Sequence, residues 1–183
     1  MNESFTDKNY RTKLFMHQEK AQRLALEGFD LLGKGELRES ESRYLASIEL
    51  VDPSHWSTQD IHGEFALVLK KLGKKSEALE QLQLALTSAL LSGDRNSNGV
   101  TLATYFLADY QIELGEVQAA LNSIENLITE DCKLKWLIYF IASKAHYSHG
   151  NMGLFEKYAE HVLITAPEGK FKDITDIANN FGL

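Results

Sequence analysis

Apolar residues recur along this chain at helical rather than strand intervals. Phe65, Leu69 and Leu72 form one series, Leu107, Ile112 and Leu114 a second, and Leu137, Ile138 and Ile141 a third, each compatible with a period of 3.6 residues. A glycine follows each series: Gly73, Gly115 and Gly150, with Gly35 upstream in "LLGKGELRES". These four glycines stand 38, 42 and 35 residues apart. Glycine accepts the left-handed backbone that ends a helix and lets the chain turn back at once. The pattern therefore predicts a series of two-helix hairpins with connections of varying length. Small residues recur five places after the first three glycines, at Ser40, Ala78 and Ala120, where a second helix must approach the first closely. Twelve places after come Ser47, Ala85 and Leu127, on the same face.

The ends and joints read differently. Leu14, Ala21, Leu24, Gly28 and Leu31 continue one stripe, so the first helix is expected to begin near residue 8, with residues 1–7 disordered. "KFKDITDIANNFGL" puts Phe171, Ile174, Ile177, Ala178 and Phe181 on one stripe, which predicts a C-terminal capping helix over 168–183, because a terminal hairpin otherwise exposes an apolar face. "TSALLSGDRNSNG" predicts a long second helix in the Gly73 hairpin, followed by a mobile polar loop at 92–99. Asp52-Pro53-Ser54 reads as a turn, with Ser57 or Thr58 as helix cap. Trp56 and Trp136 are expected to anchor packing between hairpins.

The register of these residues resembles the tetratricopeptide repeat, a two-helix unit of about 34 residues. Ala66, Gly73, Ala78 and Ala85 match its small and glycine positions in one repeat, and Ala108, Gly115 and Ala120 in the next. Gly28 and Gly35 match in the first, with Ser40 and Ser47 for the alanines, and Ser143, Gly150 and Pro167 in the fourth. Phe155 stands where the fourth repeat calls for a small residue, Pro53 falls one place late, and the middle repeats lack the closing proline. The resemblance covers about residues 20–167 and implies an all-α fold: a right-handed superhelical array of about four hairpins over 8–167, then the cap. It also implies protein–protein recognition on a concave wall lined by first helices, and no cofactor. Its groove positions fall on Phe29 and Leu32, on Leu67, Lys70 and Lys71, on Tyr105, Asp109, Ile112 and Glu113, and on Phe140, Lys144 and Tyr147. The places that hold a chaperone's terminal carboxylate in some members of that family are Ala25 and Phe29 here, so that clamp is absent.

Composition narrows the partner. Hydrophobic residues at 44% and charged residues at 25% describe a folded chain. A net charge of -7 repels nucleic acid and anionic membrane, and no 18-residue apolar run or N-terminal apolar leader is present. One cysteine, Cys132, closes no internal disulfide, so the expected setting is cytoplasmic. Between Asn96 and Cys132 the acids Asp109, Glu113, Glu116, Glu125, Glu130 and Asp131 meet no Lys or Arg, while Lys70, Lys71, Lys74 and Lys75 crowd one hinge. Two readings stay open: an acidic wall that attracts a basic segment of a partner, or a pairing of Lys70 or Lys71 with Glu113 across adjacent helices. His146 and His149 have metal-site spacing but no third ligand nearby, so His146 reads as a packed histidine. The leading expectation is a non-catalytic binder of one protein or peptide, similar to secretion chaperones and toxin-neutralising members of that family. A homo-oligomer such as a dimer, and more distantly a metal-dependent hydrolase, are the alternatives.

Overall fold

The backbone reverses at each of the four hinge glycines in the same way. The computed structural model describes residues 5–93, 97–129, 131, 132 and 134–182, with side chains from residue 14 onward. In it φ is +80° at Gly35, +75° at Gly73, +80° at Gly115 and +73° at Gly150. The residue after each glycine donates its N–H to the carbonyl five places back: Glu36 to Leu31 (3.0 Å), Lys74 to Leu69 (2.9 Å), Glu116 to Gln111 (2.8 Å) and Asn151 to His146 (2.9 Å). The glycine itself donates to the carbonyl three places back, at 2.9–3.1 Å. This is the six-to-one and five-to-two closure that satisfies a helix's last carbonyls.

The helices so joined pack as adjacent pairs within two compact units. In the first unit α1 (Phe5–Lys34) pairs with α2 (Leu37–Ile48), and α3 (Thr58–Lys71) with α4 (Lys75–Ser92). In the second, α5 (Asn98–Glu113) pairs with α6 (Val117–Thr129) and α7 (Lys135–Ser148) with α8 (Met152–Thr165), followed by α9 (Ile174–Asn179). No strand occurs among the described residues. The first helix thus begins at Phe5, and residues 1–4 of the expected disordered stretch lie outside the described residues. So do residues 94–96 of the expected loop; α4 does run long, to Ser92.

Within each pair the small residues face inward. Ala66, Ala78, Ala108, Ala120 and Ser143 are all buried. Where serine replaces alanine, the hydroxyl bonds back to the facing helix: Ser40 Oγ donates to the Gly28 carbonyl (2.7 Å) and Ser47 Oγ to that of Ala21 (2.8 Å). The buried hydroxyl is thereby satisfied at no cost in spacing. Gly28 is held to glycine by its neighbour, since a Cβ there would lie 2.8 Å from the Tyr44 ring. That ring stacks on Phe65 at 5.6 Å and joins α2 to α3. In the second unit Ile124, Ile138, Ile141, Ala145, Ala159, Val162 and Ile177 form the centre of one core.

Three local expectations change. Ser57 occupies the position before α3, but its hydroxyl does not cap the helix; it accepts instead from Gln22 Nε2 (2.8 Å) and Gln18 Nε2 (3.1 Å) of α1. Thr58 Oγ1 donates to the Asp52 carbonyl, so one hydroxyl is bound to α1 and the other to the α2–α3 connection, and neither to the helix end. Trp56 is 65% exposed on that connection, with its ring 5.5 Å from that of the adjacent His55 rather than between hairpins. The C-terminal helix is confined to six residues, with Asp173 Oδ1 accepting from Asp176 N at 2.8 Å. Phe171 and Phe181 lie outside it on either side.

Gly73→Ala places a Cβ on left-handed backbone and is expected to lower the unfolding free energy by about 1–2 kcal/mol. Gly63→Ala, inside α3 with nothing within 4 Å of the added methyl, is expected to raise it by about 0.5–1 kcal/mol. Urea denaturation of the two variants checks both signs.

Candidate functional site

The first helix of a hairpin can present side chains only where its partner helix and its neighbours leave a face open. In the first unit that condition holds. Phe29 on α1 is 52% exposed and Leu67 on α3 is 45% exposed. Gly63, one turn before Leu67, has open space where a Cβ would stand. Leu32 and Lys70 are half-buried and Lys71 is exposed. Behind these residues the polar groups are tied to one another. Tyr44 Oη donates to Glu64 Oε2 at 2.9 Å. Burial raises the Glu64 carboxyl above the usual range; the Tyr44 bond opposes that rise and the charge of Asp60 adds to it. Lys74, one of the hinge lysines, donates to Glu41 Oε1 at 2.5 Å and lies 3.4 Å from Glu77.

The second unit treats its expected groove residues differently. Ile112, Phe140 and Lys144 are buried rather than displayed. Lys144 Nζ lies 2.5 Å from Asp109 Oδ1, joining α7 to α5. An interior ammonium demands a carboxylate partner, so the charge of Asp109 that would have belonged to an acidic wall is neutralised inside the unit. Tyr105 is half-buried and edge-on to Phe106 at 5.2 Å; burial, with the charge of Asp109 adding, pushes its phenol up to about 12. Glu113 is exposed.

Phe140 and Tyr147 share the α7 face and are met there by the chain's own C-terminal segment. Phe171 stacks on Phe140 with centroids 5.7 Å apart and planes 17° apart, and Phe181 meets Phe140 edge-on at 5.3 Å. Tyr147, 40% exposed, sits between Phe155 at 5.1 Å and Phe181 at 5.5 Å. The large Phe155 is accommodated because Tyr147 and Phe181 present ring edges to it. Trp136 packs edge-on against Phe171 at 6.3 Å. Sequence reasoning placed Phe171 and Phe181 on a cap but not against the groove residues. The available signal was the pair of large rings at Phe140 and Tyr147, seven apart on one face, in the hairpin whose small residue is replaced by Phe155.

The histidines are held by packing. His146 lies parallel to Tyr158 at 5.5 Å with planes 4° apart, and burial, with His149 adding, lowers its pKa. His62 is buried with Nδ1 2.7 Å from Gln81 Oε1; burial lowers its pKa, the hydrogen bond opposing. Cys132 is a buried free thiol. Among the described residues no group of three His, Cys, Asp or Glu side chains is placed to hold a metal ion, and no helix is long and apolar enough to cross a membrane.

Lys144→Met leaves Asp109 without its cation and is expected to cost about 2–3 kcal/mol of stability, most of it recovered by adding Asp109→Leu, a double-mutant cycle read by denaturation. His62 gives a pH dependence. The unfolded imidazole takes up its proton near pH 6.5 and the folded one only at lower pH, so stability falls as pH drops through that value. Thermal melts between pH 7 and pH 5 should show a decline that His62→Asn flattens. No protein-family model matches the chain and no curated protein matches it, so a functional reading stands on the hairpin register and on the faces the helices leave open.

Proposed function

We propose that this chain is a non-catalytic protein-binding module: a tetratricopeptide-like right-handed array whose first helices hold a protein or peptide partner, acting as an adaptor or guardian in the cytoplasm. The observation that carries the reading is the exposed pair Phe29 and Leu67, one on each first helix of the first unit, at the positions where the repeat register expects a ligand wall. Large apolar side chains left in water on a rigid helix are the residues that give binding energy at small entropic cost. Gly63 supports the same reading. A glycine inside a helix costs about 1 kcal/mol against alanine, and here no atom of the described residues packed around it lies within 4 Å of the space a Cβ would take. A partner's backbone can use that space.

The test is affinity capture from the native cell with the wild-type chain and with Phe29→Ala/Leu67→Ala. Both residues are half or nearly half exposed, so the double variant is expected to melt within about 2 °C of wild type. It is expected to lose a specific partner by about tenfold or more in affinity. A partner held equally by both proteins overturns the assignment of this wall.

A further inference from the structure

The α7 face differs from the wall of the first unit in having an occupant already. Phe171, Ile174, Ile177 and Phe181 lie against the second unit's core, with Phe171 and Phe181 on Phe140 and Phe181 again on Tyr147. Among the described residues what holds this segment there is ring and aliphatic packing, with Lys170 Nζ 5.9 Å from the Trp136 ring at its start. Its hydrogen bonds among the described residues close on itself: Lys172 N to Asp176 Oδ2, Ile177 N to Asp173 O, Asn180 N to Ile177 O and Phe181 N to Ala178 O. The helix has six residues, too few to persist in water once undocked. It is reached through exposed residues 167–170, which include Gly169 at φ +73°. Beside it Tyr147 stays partly open to solvent, which leaves an edge where a competitor can begin.

We propose that residues 171–181 act as a displaceable internal ligand of the α7–α8 hairpin, on which Phe181 meets Phe140 and Tyr147 of α7 and Phe155 of α8. The partner of this face is then a segment of the same chemistry, a short amphipathic helix flanked by two aromatic side chains about ten residues apart. The inference rests on the reading of first helices as the binding wall and adds the regulation of one of them. Undocking the segment uncovers Phe140 and Tyr147, and an incoming segment replaces ring contacts with like contacts. Because a tethered ligand competes at high effective concentration, an outside segment binds only when its own contacts are better or the internal copy is released.

Hydrogen exchange on the full chain tests this first. The amides of Ile177, Asn180 and Phe181 are expected to exchange at least a hundredfold faster than those of Ile141 and Ala142 in α7, by local opening. Equal rates, set by global unfolding, overturn the proposal. The second arm uses a labelled synthetic peptide, KFKDITDIANNFGL, on the full chain and on a chain ended at Glu168. The shortened chain is expected to bind it at least tenfold more tightly than the full chain, and a peptide with both phenylalanines changed to alanine is expected not to bind. A shortened chain that does not fold, or that folds and ignores the peptide, also overturns the proposal. Neither result bears on Phe29 and Leu67, whose capture experiment decides the wider reading separately.

Discussion

The structure depends on reversing a helix within a single residue. With glycine in the left-handed region, the last carbonyls of the first helix and the chain direction of the second are settled together, and the closing bonds at Gly35, Gly73, Gly115 and Gly150 differ by only tenths of an ångström. A joint this short leaves the two helices nowhere to separate. Their packing faces must therefore be lined with residues that permit close approach, and Ala66 with Ala78 and Ala108 with Ala120 meet that demand by having little side chain. Gly28 with Ser40 meets it by turning the hydroxyl onto the opposing backbone. The outer and leading faces are released from this demand, and that freedom is what permits a first helix to carry Phe29 or Leu67 toward solvent.

Each unit then pairs its less exposed polar groups within itself. Lys144 and Asp109 pair in the interior between α7 and α5 and Tyr44 and Glu64 between α2 and α3, while Lys74, 30% exposed, meets Glu41 of α2 nearer the surface. A buried pair of this kind contributes little net stability against an apolar replacement, while removing one member is costly. Its effect is on specificity of packing: a helix shifted by one residue leaves a charge in the core unanswered. The pairs set the register of neighbouring helices that the glycine joints do not connect.

The parts of the fold that were legible in the sequence are those fixed by near neighbours. Gly73 and Ala78 lie five residues apart and report a single joint, and the same holds at Gly115 and Ala120. What was not legible depends on partners far along the chain. Nothing around Lys144 announces that it is interior, because its carboxylate lies 35 residues away at Asp109. Phe140 has the spacing of a displayed ring and is covered by Phe171 and Phe181, which come from a segment too short and too weakly periodic to be assigned a docking site. Ser57 failed as a cap for a similar reason, since glutamines on α1 claimed its hydroxyl. Local rules assign conformation, and long-range competition for each polar atom or apolar face assigns role.

This competition bears on how such a wall recognises anything. The net charge of -7 suggests attraction for a basic ligand, yet Asp109 and Glu41 already face cations within their units and add little to a local field. Charges spent in this way steer weakly, and screening at physiological salt reduces distant ones further. The apolar side chains Phe29 and Leu67 meet no such competition, and Tyr147 is only partly covered. On the proposed reading, affinity for a partner comes from burying rings and branched chains against rigid helices, with charge setting the rate of encounter rather than its strength. On a wall of that kind discrimination depends on the spacing of apolar anchors, and the C-terminal segment, with one ring on each side of a short helix, has the spacing that α7 accepts.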